Sequence, residues 1–371
     1  MFYGRTCSYQ QFWVNLSVWV NLSESTDLKD RIRFRRHWDS LSQRRAIFAL
    51  GLTISVFSTA LYSPVSASGR FLALGTAYRG GTYYPVGNAL CDRVNSVRDK
   101  TSIRCLSYET GGSSYNIEAL RTGELDLAIT QSNLAYSAYH GVNTFEELGS
   151  FPDLRTVINL YDQPLTISVH KDSGIDNFTK MPGRIVNIGN RGSGKRTMSE
   201  KLFGIMGWTE NSFSKVLQLP TAQQVRAFCD RDIDIMIETV GIPTPLYKTV
   251  EKCGGIFLDL PDSVRDGFRK MGPFFFDYSI PRSVNINNTT EVRTTGLKIS
   301  LVTRADVPAT VIRSVVGTLI SDLASFRRLH RALSFSSLSS LTDQGIHVPL
   351  HEGVTQYLAS LRPAGAGGRR E

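Results

Sequence analysis

The stretch RIVNIGNRGSGKRTMSEKLFGIM, residues 184–206, reads as an apolar strand, a glycine loop and a helix in direct succession. Within it, Gly189, Gly194 and Lys195 fall at the spacing of the nucleotide-binding motif G-x-x-x-x-G-K-[ST]. The last residue of that motif must be a hydroxyl that ligates Mg²⁺, but here it is Arg196, a cation. The loop therefore predicts a general anion site, in which backbone N–H groups at the start of a helix face a negative group.

The same plan occurs earlier in the chain, where the apolar run FLALGT (71–76) leads into the glycine-rich loop AYRGGTYYPVG (77–87). Each half then reaches a strand that carries one aspartate, Asp126 in LDLAIT and Asp234 in IDIMIE, which we expect to anchor loop backbone. Right-handed crossovers place the glycine loops at the carboxyl ends of parallel strands, where α/β sheets bind ligands. The sequence therefore predicts an α/β fold of two lobes, each a mainly parallel sheet flanked by helices, with a ligand cleft between the lobes.

Two apolar segments, PLTISVH (164–170) and TGLKISLV (295–302), are expected to carry the chain between the lobes. We assign residues 68–165 and 273–362 to lobe 1, residues 166–272 to lobe 2, and residues 363–371 to a tail that is disordered by composition. Pro308 is expected to open one helix, whose apolar face runs from Ile312 to Phe326.

Residues 1–67 have the character of a leader with a signal peptide. A basic segment (31–45) precedes an apolar run and then Val65-Ser66-Ala67, which predicts cleavage after Ala67 and a periplasmic location. An uncleaved membrane anchor is the alternative, although the apolar run is shorter than the ~20 residues that span a bilayer. The export route, Sec or twin-arginine, and the true translation start stay open.

The net charge of +9 is partly a property of the leader, where eight Lys and Arg stand against four Asp and Glu and leave +5 for the rest. The remaining basic residues form no stripe interleaved with aromatic ones, which argues against a nucleic-acid partner. A mild positive field suits a small anionic ligand.

Four cysteines follow the leader, at positions 91, 105, 229 and 253. In an exported chain they allow two disulfides with three possible pairings. Proximity in sequence favours Cys91 with Cys105 and Cys229 with Cys253, and four buried thiols are the alternative.

Several longer motifs resemble the TAXI family of TRAP-transporter solute receptors. These are GTAYRGGTYYPVGNAL (75–90), YETGGSSYNIEALRTGELDLAITQSNLAYSAYHG (108–141), GSGKRT (192–197), VGIPTP (240–245) and VPLHEGVTQYL (348–358). The resemblance implies a type II periplasmic-binding-protein-like fold and a receptor that passes a small organic anion, such as a dicarboxylate or glutamate, to a TRAP-type membrane permease. It also implies two sets of ligand-binding residues, with Thr82, Tyr83, Tyr84, Gly112, Ser113 and Gln131 on one side and Ser193, Gly194 and Gly241 on the other.

Two departures from the family pattern bear on the ligand. Lys195 stands where the family usually has threonine, and Asn133 replaces an acid. Each change adds one positive charge to the predicted cleft, which favours a dicarboxylate. Arg196 is expected to bind a ligand carboxylate through two parallel hydrogen bonds. Glu238 is expected either to line the cleft or to pair with a base.

We expect a monomeric binding protein, with no enzymatic activity, cofactor, metal or nucleic-acid partner. One alternative keeps the fold but has the receptor present its solute to a membrane sensor kinase. A P-loop-like nucleotide-binding protein is the less favoured alternative.

Overall fold

The computed structural model describes residues 69–361. The predicted leader, its cleavage site and the predicted tail (363–371) lie outside the described residues. Within residues 69–361, no single helix has the length and apolar composition to cross a membrane. One pair of consecutive helices meets both criteria when taken together, and the two helices are bent by 84° relative to each other.

The first lobe is built on three parallel strands. Strand β1 (Arg70–Gly75) lies between β2 (Ile103–Tyr108) and β3 (Leu127–Gln131). The connecting helices are α1 (Tyr83–Asn95), the short α2 (Arg98–Thr101) and α3 (Ser113–Thr122), and α4 (Ser132–His140) follows β3. The buried apolar residues of β1 and α1, among them Leu72, Leu74, Val86 and Leu90, form the core that fixes the helix on the sheet.

The second lobe repeats this arrangement. Strand β5 (Ile185–Asn187) lies between β6 (Lys215–Leu217) and β7 (Ile235–Thr239), again in parallel. Helix α5 (Gly194–Met206) and helix α6 (Thr221–Cys229) make the crossovers. The prediction of two β-α-β-α-β units is confirmed.

The two aspartates occupy equivalent places in the two lobes. Asp126 Oδ2 accepts a hydrogen bond from the backbone N–H of Ala73 at 3.0 Å, and Asp234 Oδ2 accepts one from that of Ile185 at 2.8 Å. Each aspartate thus ties the start of the third strand of its lobe to the first strand. The backbone that the aspartates anchor is that of a strand and not, as predicted, that of a loop.

Two long antiparallel strands join the lobes. Strand β4 (Leu154–His170) pairs with β10 (Val292–Arg304) through its first part and with β7 through residues 165–169. Strand β10 also pairs with β3 and with β9 (Phe276–Ile280), and β8 (Gly255–Phe257) adds to the end of β4. The strand order through both lobes is β2-β1-β3-β10-β4-β7-β5-β6.

The other elements pack against these strands and against one another. They are helices α7 (Pro245–Lys252), α8 (Asp262–Lys270), α9 (Ala309–Ile320), α10 (Leu323–Leu329), α11 (Leu338–Thr342) and α12 (Glu352–Ser360), with 3₁₀ turns at Asn143–Phe145, Phe178–Lys180, Glu210–Ser212, Arg282–Val284 and Arg331–Leu333.

The helix expected from Pro308 to Phe326 is two helices. Helix α9 ends at Ile320, and Asp322 caps α10 by accepting hydrogen bonds from the backbone N–H and the hydroxyl of Ser325. A side chain that satisfies the first turn of a new helix competes with continuation of the old one, so the prediction of one helix is wrong. The apolar residues Ile312, Val316 and Phe326 are nevertheless buried in the main core.

Both favoured cysteine pairings are present as disulfides. Cys91 in α1 joins Cys105 in β2, and Cys229 at the end of α6 joins Cys253 after α7. The Cα–Cα distances are 4.9 and 5.2 Å. Each bond ties a helix to a neighbouring element of the same lobe.

Candidate functional site

Four helices begin at one cavity between the lobes. Tyr83, Ser113, Gly194 and Thr221 are the first residues of α1, α3, α5 and α6, and all four line it. Each helix follows a strand of a parallel sheet, so the repeated topology brings the four helix starts together. The first N–H groups of a helix have no partner within it and carry a partial positive charge. The cavity is therefore suited to an anion.

The cavity is small. Its volume is about 60 Å³, and a single water needs about 10–15 Å³ on the same scale. The full lining consists of Ala77, Tyr78, Gly81, Thr82, Tyr83, Gly111, Gly112, Ser113, Gln131, Gln163, Asn190, Ser193, Gly194, Lys195, Thr221, Glu238, Thr239 and Val240. A space of this size therefore holds about four to six waters.

A buried ion pair lies in the wall formed by the second lobe. Lys195 Nζ is 3.2 Å from Glu238 Oε2, and their side chains are only 4% and 1% exposed. Lys195 also donates to the Thr221 hydroxyl, while Glu238 accepts from Gln224 Nε2 and from the backbone N–H of Thr239. Both alternatives for Glu238 hold, because it lines the cavity and pairs with a base. The pair makes the formal charge of the cavity wall zero.

A neutral polar network forms the wall of the first lobe. The hydroxyls of Tyr83 and Ser113 are 3.1 Å apart, and Ser113 Oγ accepts from the backbone N–H of Gln131. Gln131 Nε2 donates to Gln163 Oε1 at 3.0 Å. Burial raises the pKa of Tyr83 well above its ordinary value, so its hydroxyl is a neutral donor at physiological pH. Among residues 69–361, Gln131 Oε1 has no hydrogen-bond partner, which leaves a buried amide in the wall of the cavity with unused capacity.

The lobes touch around the cavity. The backbone N–H of Ser114 donates to the Gly192 carbonyl at 3.0 Å, and Asn190 Nδ2 donates to the Gly111 carbonyl at 3.2 Å. On the other side, the Gly241 N–H donates to the Thr82 hydroxyl at 3.1 Å. The chain is therefore in a closed arrangement, with both glycine loops in contact.

Gly112 is required where the loops meet. Its φ of +106° lies in the region that favours glycine, and an added Cβ would stand 3.3 Å from the Cα of Ser193. Because a side chain would both strain the backbone and press on the opposite lobe, glycine permits the close approach.

Nine of the thirteen predicted ligand-binding residues line the cavity, namely Thr82, Tyr83, Gly112, Ser113, Gln131, Ser193, Gly194, Lys195 and Glu238. The structure does not place the other four, Tyr84, Asn133, Arg196 and Gly241, in its lining. Tyr84 lies beneath the guanidinium of Arg79 at 5.1 Å, and Gly241 instead bonds Thr82 through its N–H.

Arg196 and Asn133 both lie outside the lining of the cavity. The guanidinium of Arg196 bonds Glu200 at 2.6 Å and Glu210 at 3.1 Å on the surface of the second lobe, so two carboxylates of the chain itself already hold it. Asn133 is buried within α4 and is not among the lining residues. Neither of the two departures from the family pattern therefore adds net positive charge to the cavity, because Asn133 does not line it and Glu238 neutralises Lys195.

The sequence did not single out several lining residues. Gln163 comes from the middle of β4, Thr239 from the end of β7, and Thr221 from the start of α6. The internal repeat contained a signal for Thr221, because the start of α6 is the counterpart of the start of α3, where Gly112 and Ser113 lie. Among residues 69–361, no three His, Cys, Asp or Glu side chains are grouped so as to hold a metal ion.

Comparisons with known proteins agree with this architecture. Among solved structures, the periplasmic binding protein BugD aligns with 78% of this chain and 95% of its own, at 13% identity and a TM-score of 0.51. MatC from Rhodopseudomonas palustris, solved with bound malate, aligns with 80% of this chain and 98% of its own, at 12% identity and a TM-score of 0.50. These likenesses confirm the predicted two-lobed periplasmic-binding-protein fold.

A sequence profile of the NMT1-like family matches residues 74–359, which include both lobes and every element that lines the cavity. The chain belongs to the NMT1-like family.

Proposed function

We propose that this protein is an extracytoplasmic solute receptor that holds a small organic anion between its lobes and releases it unchanged to a membrane permease of the TRAP type. The observation that carries the proposal is the meeting of four helix N-termini in one cavity. Each exposed helix start favours an anion by about 0.3–1 kcal/mol, and the effect grows where water is excluded. Micromolar affinity needs about −8 kcal/mol, so the four helix starts supply part of it and hydrogen bonds to the ligand, among them those from Tyr83 and Ser113, supply the rest.

The ligand class that we propose is a dicarboxylate or an acidic amino acid such as glutamate. The size of the cavity suits an acid of a few carbons. Because Lys195 is paired, the attraction for the acid comes from the helix starts rather than from a free cation. Glu238, at the cavity wall, adds a carboxylate that can face the ammonium group of an amino acid. MatC, which shares the fold, holds malate.

Two features support an extracytoplasmic location and the role of receptor. The disulfides Cys91–Cys105 and Cys229–Cys253 are typical of proteins from oxidising compartments. The hydrogen bonds between the lobes close the structure around the cavity, and closure is how a two-lobed receptor presents a liganded shape to a partner. A sensor kinase could read the same closed shape, so presentation to such a sensor remains the alternative partner hypothesis.

The geometry disfavours the nucleotide hypothesis. A P-loop lysine must reach phosphate, whereas Lys195 is held by Glu238 and Thr221. The residue after it, Arg196, cannot ligate Mg²⁺. We therefore expect ATP with Mg²⁺ to leave the melting temperature unchanged.

The test is isothermal titration calorimetry with succinate, malate and glutamate, and with a neutral sugar and an alkylamine as controls. We expect at least one acid to bind with micromolar affinity and neither control to bind. Binding of the amine or the sugar in place of every acid would refute the proposal.

A matched pair of variants tests the sign of the ligand's charge. Ser113→Asp places a carboxylate at the start of α3, where it favours the helix but repels an anion, and Ser113→Asn has the same size without the charge. We expect the Asp variant to bind at least tenfold more weakly than the Asn variant. Equal affinities would show that the ligand is not held as an anion at this helix start.

A further inference from the structure

A second, larger space between the lobes adjoins the cavity. Gly81, Thr82 and Thr221 line both. This adjoining groove has a volume of about 560 Å³, within the range of about 300–1,000 Å³ that ligand sites occupy. A molecule whose acidic end lies at the four helix starts can therefore extend past Thr82 and Thr221 into the groove.

The walls of the groove are apolar and come from both lobes. Tyr84 and Pro85 of α1 face Ala222 and Val225 of α6, and Pro245 and Leu246 of α7 complete the surface. Leu246 is 8% exposed and belongs to the core of the second lobe, so the floor of the groove is fixed.

No charge opposes an apolar occupant. Among the described residues that line the groove, none is Lys, Arg, Asp or Glu, and the polar members are threonines and His330. Burial lowers the pKa of His330, and the nearby Arg331 acts in the same direction, so the imidazole is neutral at physiological pH. The threonine hydroxyls also have partners, since Thr82 accepts from Gly241 and Thr244 from Leu246.

We propose that the ligand is an amphipathic acid, whose carboxylate end lies in the small cavity and whose apolar chain or ring fills the adjoining groove between α1, α6 and α7. This inference rests on the proposed function and narrows the class of acid that the receptor takes. The groove would then be part of the binding site. The apolar chain of the ligand would be packed between the two lobes when they close.

Two homologous series of acids test this inference by calorimetry. One is the straight-chain monocarboxylates from butanoate to decanoate, and the other is the 2-alkylsuccinates from methyl to hexyl. Once the chain enters the groove, each added methylene should tighten binding about fourfold, which corresponds to about 0.8 kcal/mol per buried methylene. An affinity that stays flat or falls with chain length in both series overturns the inference.

A variant that fills the groove provides the second measurement. Thr249 is exposed on the groove wall, so Thr249→Trp should occupy the space and abolish the gain from chain length while leaving the shortest acid within about twofold. Gln223→Trp, on an exposed position of α6 outside the lining, is the matched control and should keep the gain. Ala222→Leu fills the groove from α6 if the tryptophan variant does not fold.

The possible outcomes separate the two proposals. A gain with chain length that survives both Thr249→Trp and Ala222→Leu overturns the placement of the chain in the groove. Binding of short acids alone overturns the amphipathic ligand but keeps the receptor. If no acid of any length binds, the proposed function fails, and this inference fails with it.

Discussion

At the scale of single residues, the buried Lys195–Glu238 pair decides how the glycine loop of the second lobe works. Taking two charges out of water is costly, and their attraction repays the cost only when further hydrogen bonds satisfy them. Here Thr221, Gln224 and the Thr239 N–H supply those bonds. The lysine that makes the sequence look like a nucleotide loop is thus a structural residue of the cavity wall.

This arrangement predicts strong coupling between the two charges. Lys195→Met and Glu238→Gln should each lower the free energy of unfolding by about 3 kcal/mol, because each leaves the other group buried without its counter-charge. The double variant should lose clearly less than the two single losses combined. Urea unfolding of the four proteins measures this, and additive losses would mean that the pair does not form.

At this scale, the sequence predicted many of the residues that line the cavity but not how their charges are paired. Most of the nine predicted residues that line the cavity follow from the family resemblance of the motifs. The glycine loops after apolar strands point to the same edge of the α/β sheet. The pairing of Lys195 with Glu238 could not be predicted, since the two residues lie on different elements and only folding brings them together. Arg196 stands in the same motif but is held by Glu200 and Glu210. Glu200, four residues later on the same helix, was a local signal for an ion pair, whereas only folding brings Glu210 close.

At the scale of elements, side-chain caps set where helices begin and end. His351 accepts from the backbone N–H of Gly353 through Nδ1 at the start of α12 and is 1% exposed. Burial lowers the pKa of His351 below the ordinary value of 6.5. The unfolded chain therefore takes up a proton at a higher pH than the folded chain does.

The sign of this shift predicts a loss of stability in mild acid. The contribution of His351 is fully present above pH 6.5 and is lost as the pH falls below that value toward the pKa of the folded state. His351→Asn keeps a good capping residue without a titrating group, so its free energy of unfolding should fall less between pH 7.5 and 5.5. Urea unfolding at the two pH values tests this, and identical slopes for both proteins would contradict it.

The disulfides predict a second effect at this scale. Cys91–Cys105 and Cys229–Cys253 close loops of 14 and 24 residues, and loops of this size are each worth about 3 kcal/mol in the chain-entropy view. Replacing each pair by alanine should lower stability by roughly that amount, with the Cys229–Cys253 pair costing slightly more. Reduction of both disulfides in the wild type should lower its stability as much as replacing all four cysteines does. Unchanged stability of the wild type in reductant would contradict this prediction.

Prediction of elements succeeded where apolar periodicity was strong and failed where one polar side chain decided. The strands and both β-α-β-α-β repeats follow from buried apolar runs. The apolar face from Ile312 to Phe326 is equally continuous, yet Asp322 starts a new helix within it. The first turns of α3 and α5 are mostly polar or small, so apolar periodicity gives no signal for them, and of their residues Ser113, Gly194 and Lys195 line the cavity.

At the scale of the whole molecule, closure depends on hydrogen bonds between lobes that two continuous strands join. The bond from the Gly241 N–H to Thr82 Oγ1 crosses from the second lobe to the first beside the cavity, where both residues are buried. Opening the lobes would break this bond and expose both groups to water, whereas in the closed form the two buried groups satisfy each other. The bond therefore favours the closed form.

Loss of this hydrogen bond should shift the balance toward the open form. Thr82→Val keeps the shape of the side chain but leaves the Gly241 N–H unsatisfied on closure, at a cost of about 1–3 kcal/mol. We expect a larger radius of gyration by small-angle X-ray scattering and about tenfold weaker ligand binding. Thr122→Val, whose hydroxyl bonds within α3, is the control, and equal scattering from both variants would exclude the effect.

The contact between the glycine loops also makes the molecule suitable as an optical sensor. Tyr115 is exposed on the first lobe, and its Cβ lies 3.7 Å from where a Cβ on Gly192 of the second lobe would be. A fluorophore attached at position 115 would lie beside the second lobe when the loops meet and would lose that neighbour when they part. Its emission would then report metabolite concentration directly, without any added reagent.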